Sequence, residues 1–340
     1  MRPSTLRLLA VALVAPAVIA ACGSSKSTTP PATNPTSAGA ATTGAASASA
    51  TGDCTPKAGN DLVVLADDKG SQLSDNVIPI VRTDIAKAPL TDALNAVSTA
   101  LTQAALVGLN SAVSVDKKTS ADAAQAFVDD NKLGDGLTGG TGNIVVGAAG
   151  FAESLTLANV YADVLTKAGY KATAKTSGAR AVYEPALEKG DIQVFPEYAA
   201  TFTTFLATKQ KSSAKASGDI TATMTALKPL AEAAGLTALD PAAATDQNAF
   251  AVTKASADAY GLTSLSDVAT KCGNGVTMGA AAECPTQGFC KQALVDTYGI
   301  KISDLKALDA DGPLTRQALK GGQVLIGEVF SSDADVTSAG

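Results

Sequence analysis

The chain has 340 residues, of which 26 are Lys or Arg and 32 are Asp or Glu, so its formal net charge is −6. It contains no His and no Trp, which excludes a Ser-His-Asp triad, a Cys-His dyad and any His-ligated metal. The acidic balance argues against electrostatic binding of nucleic acid, and 46% apolar residues against 17% charged ones predict a chain that builds a folded core.

Residues 1–21 are predicted to be a lipoprotein signal peptide. Arg2 and Arg7 supply its positive charge, and an apolar stretch follows at residues 8–21. A stretch of this length suits a secretory signal, whereas a bilayer span needs about 20 apolar residues. The letters IAAC at the end of the segment resemble a bacterial lipobox, so we expect Cys22 to carry a lipid anchor. Cleavage after an Ala-x-Ala site, without lipidation, is the alternative.

Residues 22–60 are predicted to be a lipidated Cys followed by a disordered tether. From 23 to 52 the segment consists mainly of Ser, Thr, Ala, Gly and Pro, and Lys26 is its one charge. It has too little apolar surface to offset its ordering entropy. The remaining residues, from Asp61 on, have the length of roughly two lobes.

Four cysteines remain after Cys22, and an even number is typical of disulfides in an oxidising compartment. Cys284 and Cys290 lie close enough in sequence to favour a short disulfide loop, and Cys54 with Cys272 would be the second pair. Zinc binding is the weaker alternative, because the spacing is not Cys-x-x-Cys and the chain has no His. We therefore expect no metal and no cofactor.

Short apolar runs alternate with longer helix-periodic stretches in the rest of the chain. The runs predict buried strands at 62–65, 144–146, 192–195, 250–252 and 324–326. The stretches predict helices at 88–109, 155–168, 220–234 and 291–298. This alternation predicts parallel α/β sheets, in which ligands bind at the C-terminal ends of strands or between two domains.

The Gly-rich segment 134–142, GDGLTGGTG, is interpreted as a linker. It precedes a predicted strand, whereas a phosphate-binding loop follows a strand and opens a helix.

One long stretch carries a family resemblance. Residues 143–206 contain Gly147, Phe151 and Glu153, then an AGYK turn and the segment GDIQVFPEY. This stretch resembles the opening of the substrate-binding proteins of ABC-type glycine betaine/osmoprotectant transporters. Later segments, among them DPAAATDQNAFAV and LTRQALKGGQVLIGEVFSSDA, are similar to later family segments in family order, so the resemblance covers nearly all of 61–340.

The order of the segments differs from that of the family. Residues 62–133 resemble the family's C-terminal section although they come first here, which indicates a circular permutation joined at 134–142. The resemblance implies a circularly permuted, two-lobed type II periplasmic-binding-protein fold of the α/β class. Lobe 1 is expected at 61–248, lobe 2 at 249–329, and a hinge return with a C-terminal tail at 330–340. An unrelated α/β protein is the alternative.

The resemblance also implies a cage of about four tyrosines around the cation of the ligand, because a quaternary ammonium group has no N–H to donate. Tyr198 retains one of these tyrosines. Phe330 keeps a ring at a second position but loses the hydroxyl. Asn248 and Asp75 stand where the other two tyrosines are expected.

Polar groups are expected at the carboxylate end of the ligand. Thr201 is retained there, whereas Ser154 stands in place of a Gln and Gln287 near the place of an Arg. With two rings of four and no cationic donor, the site is predicted to differ from that for glycine betaine. The carboxylate of Asp75 favours a ligand with positive charge and a weak or absent carboxylate, or alternatively a neutral polyol or aromatic ligand.

These features predict an extracytoplasmic, lipid-anchored solute-binding protein of an ABC importer. We expect a monomer that binds an osmoprotectant or a related small polar solute between two lobes and delivers it to permease and ATPase subunits. The alternative is a surface lipoprotein on the same scaffold, with a different ligand or with a sensor or interaction role. An enzyme is not expected, because no nucleophile–base pair stands out.

Overall fold

The fold is built on two β-sheets. The computed structural model describes four stretches of the chain, which are residues 52–286, 288–309, 312–334 and 336–338. The predicted signal peptide and Cys22 lie outside these stretches. Over the described residues the chain forms a six-stranded and a five-stranded sheet, with helices packed against both.

The strands and helices alternate along most of the chain. In chain order the strands are β1 (Leu62–Val64), β2 (Val77–Arg82), β3 (Asn143–Ala148), β4 (Lys171–Thr176), β5 (Val194–Tyr198), β6 (Leu236–Ala238), β7 (Asn248–Thr253), β8 (Val276–Ala281), β9 (Ile302–Leu308), β10 (Ile326–Phe330) and β11 (Val336–Ser338). The α-helices are α1 (Leu90–Ala100), α2 (Gln103–Ser114), α3 (Ser120–Asp130), α4 (Ala152–Lys167), α5 (Arg180–Lys189), α6 (Ala199–Lys209), α7 (Ile220–Ala233), α8 (Lys254–Tyr260), α9 (Leu265–Lys271), α10 (Lys291–Tyr298) and α11 (Pro313–Lys320).

Both sheets are mixed, which corrects the prediction of parallel sheets. The five-stranded sheet has the order β4-β3-β5-β2-β6, and the six-stranded sheet has the order β11-β1-β7-β10-β8-β9. Strands β3 and β8 run parallel to both of their neighbours, whereas β2 and β7 run antiparallel to both of theirs. The reason is the route of the chain. Strands β2 and β7 enter their sheets directly from the other sheet, without the crossover helix that a parallel connection needs.

The predicted helix 88–109 is two helices in the structure. The helices α1 and α2 meet at a bend of 90°. The break occurs because Thr102 is the N-cap of α2, where its side chain accepts a hydrogen bond from the amide of Ala105. Among the described residues no single helix is long and apolar enough to cross a membrane; only this bent pair, taken together, passes a test of length and composition.

The first strand lies in a different sheet from the rest of the range predicted for lobe 1. The range 61–248 begins with β1, which pairs antiparallel with β7 and parallel with β11 in the six-stranded sheet. The chain passes between the sheets at residues 65–76 and again at 239–247. The five-stranded sheet is therefore one continuous piece of chain, and the six-stranded sheet takes strands from both ends.

Each sheet has apolar side chains packed on both of its faces. Strand β2 shows the alternation directly, since Val77 and Val81 join the core against α1 and α4, and Ile78 and Ile80 join the core against α6 and α7. All four side chains are fully buried. This strand is not predicted from the sequence, because Pro79 lies in its middle and a proline argues against a central strand.

Two disulfides lie against the six-stranded sheet. Cys54 is bonded to Cys272 across a sequence separation of 218 residues, and Cys284 to Cys290 across 6. These are the two pairs that the cysteine spacing favours. The first holds the start of the described chain on the end of α9, and the second closes the loop in front of α10.

The Gly-rich segment 134–142 is an ordered connection between α3 and β3. Four of its glycines have positive φ, a conformation that other residues rarely adopt. A Cβ on Gly140 would come within 2.5 Å of the Tyr170 ring, so this segment lies closely over the turn after α4. At the far end of the chain, Val336 pairs with Leu62. The strands at both ends of the described chain are thus neighbours.

Circular permutation stays a prediction, and this arrangement allows a direct test of it. A rearranged chain that begins at Asn143, joins Gly340 to Asp53 through a Gly/Ser linker and ends at Leu133 keeps both disulfides and should fold. We expect its melting temperature to stay within about 5 °C of the parent. As a control, new ends placed inside α4 should prevent cooperative unfolding. Equal loss of the melting transition in both chains would contradict the permutation.

Candidate functional site

A cavity of about 370 Å³ lies between the elements of the two sheets. It is lined by Gln72, Leu73, Asp75, Ala149, Phe151, Ser154, Arg180, Tyr183, Phe195, Tyr198, Thr201, Asp246, Gln247, Asn248, Phe289 and Phe330. Six of the seven ligand-binding residues predicted from the sequence are in this wall. The seventh, Gln287, lies outside the described residues.

The topology explains why distant parts of the chain meet here. Strands β3, β4 and β5 are parallel neighbours in one sheet, so their C-terminal ends open on the same edge. Phe151, Arg180 and Tyr198 follow or end these three strands. On the opposite wall, the antiparallel pairing of β7 and β10 sets Asn248 directly across from Phe330.

Aromatic side chains are concentrated at this cavity. The chain has only eight Phe and six Tyr, and six of these 14 rings line the wall. Phe151 and Phe289 add two rings to those of Tyr198 and Phe330, so the wall holds more aromatic surface than the two rings expected from the sequence. The rings of Phe151 and Tyr198 are stacked with centroids 6.3 Å apart.

Phe289 reaches the wall through the short disulfide loop. It lies one residue before Cys290, in the loop that the Cys284–Cys290 bond closes. The side-chain amide of Gln72 donates a hydrogen bond to the Phe289 carbonyl at 2.9 Å, which fixes the loop against the segment 65–76. Phe289 is 40% exposed and Phe151 is 47% exposed, so both rings are available to a ligand.

Tyr198 is held in place from behind. Its hydroxyl donates a hydrogen bond to Oε1 of Glu153 at 2.5 Å, and Nδ2 of Asn110 donates to Oε2 of the same carboxylate at 2.5 Å. Burial, together with the negative charge of Glu153, raises the pKa of Tyr198 well above its usual value. The side chain therefore stays a neutral donor, and its ring keeps one orientation at the cavity.

The cavity wall contains a cationic donor that the sequence did not predict. The guanidinium of Arg180 donates to both carboxylate oxygens of Glu197, at 3.0 and 2.8 Å, and to the hydroxyl of Thr201 at 3.0 Å. Glu197 is 1% exposed and also accepts a hydrogen bond from the Tyr183 hydroxyl at 2.6 Å. A buried carboxylate thus offsets most of the positive charge that Arg180 brings to the wall.

Asp75 binds the N-terminus of α6. Its Oδ1 accepts a hydrogen bond from the amide of Thr201 at 2.8 Å, in the first turn of that helix. Burial raises the pKa of Asp75 to about 6, against the opposing effects of the Thr201 amide, the Arg180 guanidinium and the Ala200 amide. The carboxylate takes the place that an anion prefers at a helix N-terminus.

Comparison with known proteins identifies the family of the chain. A family model for the substrate binding domain of the ABC-type glycine betaine transport system matches residues 53–130 and 142–339. The chain belongs to this family. Its fold is the two-lobed type II periplasmic-binding fold, and its role is solute binding in ABC transport, outside the cytoplasm. The family is one of binding proteins and not of enzymes.

Two solved structures are similar to the chain at low identity. Apo YehZ from Escherichia coli is 23% identical, with a TM-score of 0.47 over 55% of this chain and 69% of that chain. A glycine betaine/carnitine/choline ABC transporter is 17% identical, with a TM-score of 0.41 over 55% of this chain and 68% of that one. No curated protein matches the chain.

The raised pKa of Asp75 predicts a specific dependence of stability on pH. The folded chain binds a proton on the Asp75 carboxyl more tightly than the unfolded chain does. Protonation of Asp75 therefore contributes fully to the free energy of unfolding below about pH 3.8, and this contribution is lost as pH rises through about 6. Between pH 4 and pH 7.5 the free energy of unfolding of the parent should fall by about 2–3 kcal/mol relative to Asp75→Asn. Urea titrations across this range measure the difference.

The matched control for this prediction is Asp240→Asn, which removes one negative charge at an exposed aspartate outside the cavity. Parallel pH profiles for the parent and Asp75→Asn would contradict the assigned burial of this carboxylate.

Proposed function

We propose that the protein binds a small quaternary ammonium solute in the cavity between its two lobes and delivers it to the permease of an ABC importer. Lobe 1 is the five-stranded sheet with its helices, and lobe 2 is the six-stranded sheet with its helices. The observation that carries the proposal is the concentration of six of the chain's 14 aromatic rings at one cavity whose wall has net negative charge.

The charge of the wall favours a cation. Asp75 and Asp246 bring two carboxylates to the wall, and Arg180, bound to the buried Glu197, brings one guanidinium. Asp246 also accepts a hydrogen bond from the Ser332 hydroxyl at 2.8 Å. The faces of aromatic rings attract a cation through their quadrupoles by about 0.5–2 kcal/mol each, and they need no N–H on the ligand. Neutral polyols can donate hydrogen bonds to the carboxylates, but neither they nor neutral aromatic compounds gain from the net charge of the wall, so we rank them below quaternary ammonium compounds.

The two groups that would hold a ligand carboxylate already have anionic partners. The N-terminus of α6 is bound to Asp75, and Arg180 is bound to Glu197. A zwitterion such as glycine betaine would have to compete with these internal carboxylates, whereas choline would not. We therefore propose a preference for cations without a carboxylate, within a family that is described by its binding of glycine betaine.

Delivery to a permease fits the predicted attachment of the chain. A lipid on Cys22 would connect the membrane to the folded part at Cys54. That residue is bonded to Cys272, and Tyr260 donates a hydrogen bond to the Thr55 carbonyl at 2.8 Å, so this part of the chain lies on lobe 2. Lobe 1 would then be free to move relative to the attached lobe when a ligand binds.

Calorimetric titration with choline and glycine betaine tests the proposed function. We expect choline to bind more tightly, and at 100 times its Kd to stabilise the fold by about 2.7 kcal/mol. Phe330→Ala should weaken choline binding about 3- to 30-fold, as loss of one ring contact requires. Phe330→Tyr should preserve the affinity.

Tyr260→Ala, which removes a ring outside the cavity, is the control and should leave choline binding unchanged. Tighter binding of glycine betaine than of choline would contradict the preference for cations without a carboxylate. Absence of binding by both compounds would contradict the quaternary ammonium proposal while leaving the family assignment intact.

A further inference from the structure

A second cavity, of about 520 Å³, adjoins the first. Phe151, Phe330 and Asp246 line both cavities, so these three side chains form the partition between them. The rest of the second wall comes from the end of α2, the start of α4, α11 and the segment 332–334. The two cavities are therefore neighbouring compartments that share walls, and Phe151, which lines both, is 47% exposed.

The second compartment is acidic. Glu153, Asp246 and Asp333 bring three carboxylates to its wall, against the one guanidinium of Arg316. Arg316 forms an ion pair with Asp333 at 2.5 Å. Glu153 accepts hydrogen bonds from two neutral donors and takes part in no ion pair within the described part of the chain. A positive group would be attracted to this wall, and a negative group would be repelled.

Apolar surface connects the two acidic regions. The rings of Phe151 and Phe330 lie between the compartments, and Val113, Ala152 and Ala334 continue the apolar wall on the second side. An alkyl chain could lie along this surface and bury its methylene groups there. We call the two adjoining cavities together the chamber. Along its length, the chamber offers a cation site, then an apolar passage and then a second acidic site.

From this pattern we infer that the chamber takes an elongated solute with two cationic groups joined by an alkyl chain. One cationic group lies among the rings of the first compartment, and the other lies beside Glu153 in the second. This inference rests on the proposed function, because it assumes that the first compartment binds a quaternary ammonium group. It adds a second binding region and a class of dicationic ligand.

A series of synthetic probes tests the inference by calorimetry at low ionic strength. The probes are tetramethylammonium and bis-quaternary ammonium compounds whose two trimethylammonium groups are joined by progressively longer alkyl chains. We expect affinity to rise by about tenfold once the chain spans the partition, and this gain to shrink as salt is added. The rise should reach a maximum at one chain length.

A charge variant in the second compartment separates the two binding regions. Ser114 is the last residue of α2, is exposed, and lines only the second cavity. Ser114→Lys should abolish most of the gain of the long probes and leave tetramethylammonium affinity unchanged. A lysine at this helix end is also compatible with the helix dipole. Ser114→Gln adds similar bulk without charge and should retain the gain.

The outcomes distinguish this inference from the proposed function. If tetramethylammonium binds but the long probes gain nothing, the second binding region is contradicted and the proposed function stands. Equal effects of Ser114→Lys and Ser114→Gln on the long probes would likewise contradict the second binding region alone. If neither kind of probe binds, both the proposed function and the inference are overturned.

Discussion

Two buried carboxylates set the charge that the cavity wall presents. Glu197 pairs with Arg180, and Asp75 binds the N-terminus of α6, so two anion-binding groups at the cavity wall already have partners within the protein. Burying a carboxylate is costly unless it is hydrogen-bonded or paired. Glu197 is both hydrogen-bonded and ion-paired, and Asp75 accepts a hydrogen bond from the Thr201 amide. What remains open to a ligand is aromatic surface with net negative charge. The proposed preference for a cation rests on this arrangement rather than on any single residue.

The same arrangement relates the fold to its function. Parallel strands β3, β4 and β5 end at one edge and supply Phe151, Arg180 and Tyr198, while the pairing of β7 with β10 supplies the opposite wall. Because the chain passes between the sheets at 65–76 and 239–247, the proposed ligand site lies beside these two connections. Asp75 and Asp246 are in these connections, so under the proposed function a bound cation would contact the segments that join the two lobes.

Many of the strands and most of the cavity residues could be predicted from the sequence. The elements and residues that could not be predicted were hidden for physical reasons. Runs such as 144–146 and 250–252 predict strands because both of their faces are buried. Strand β4 has no such apolar run and is not predicted from the sequence, because its residues are largely exposed and polar. Without β4, nothing marks Arg180 as the residue that follows a parallel strand into the binding edge. Phe289 is hidden for another reason, since its place in the wall depends on a disulfide loop.

Comparing choline with 3,3-dimethylbutan-1-ol, which has the same shape but a carbon atom in place of the charged nitrogen, tests most directly whether the cavity recognises positive charge. If rings and carboxylates recognise the positive charge, choline should bind at least about tenfold more tightly, since each cation–π contact contributes about 0.5–2 kcal/mol. The calorimetric titrations should also show this difference decreasing with added salt. Equal affinities for the two compounds would mean that the cavity recognises apolar shape alone, and would contradict the account.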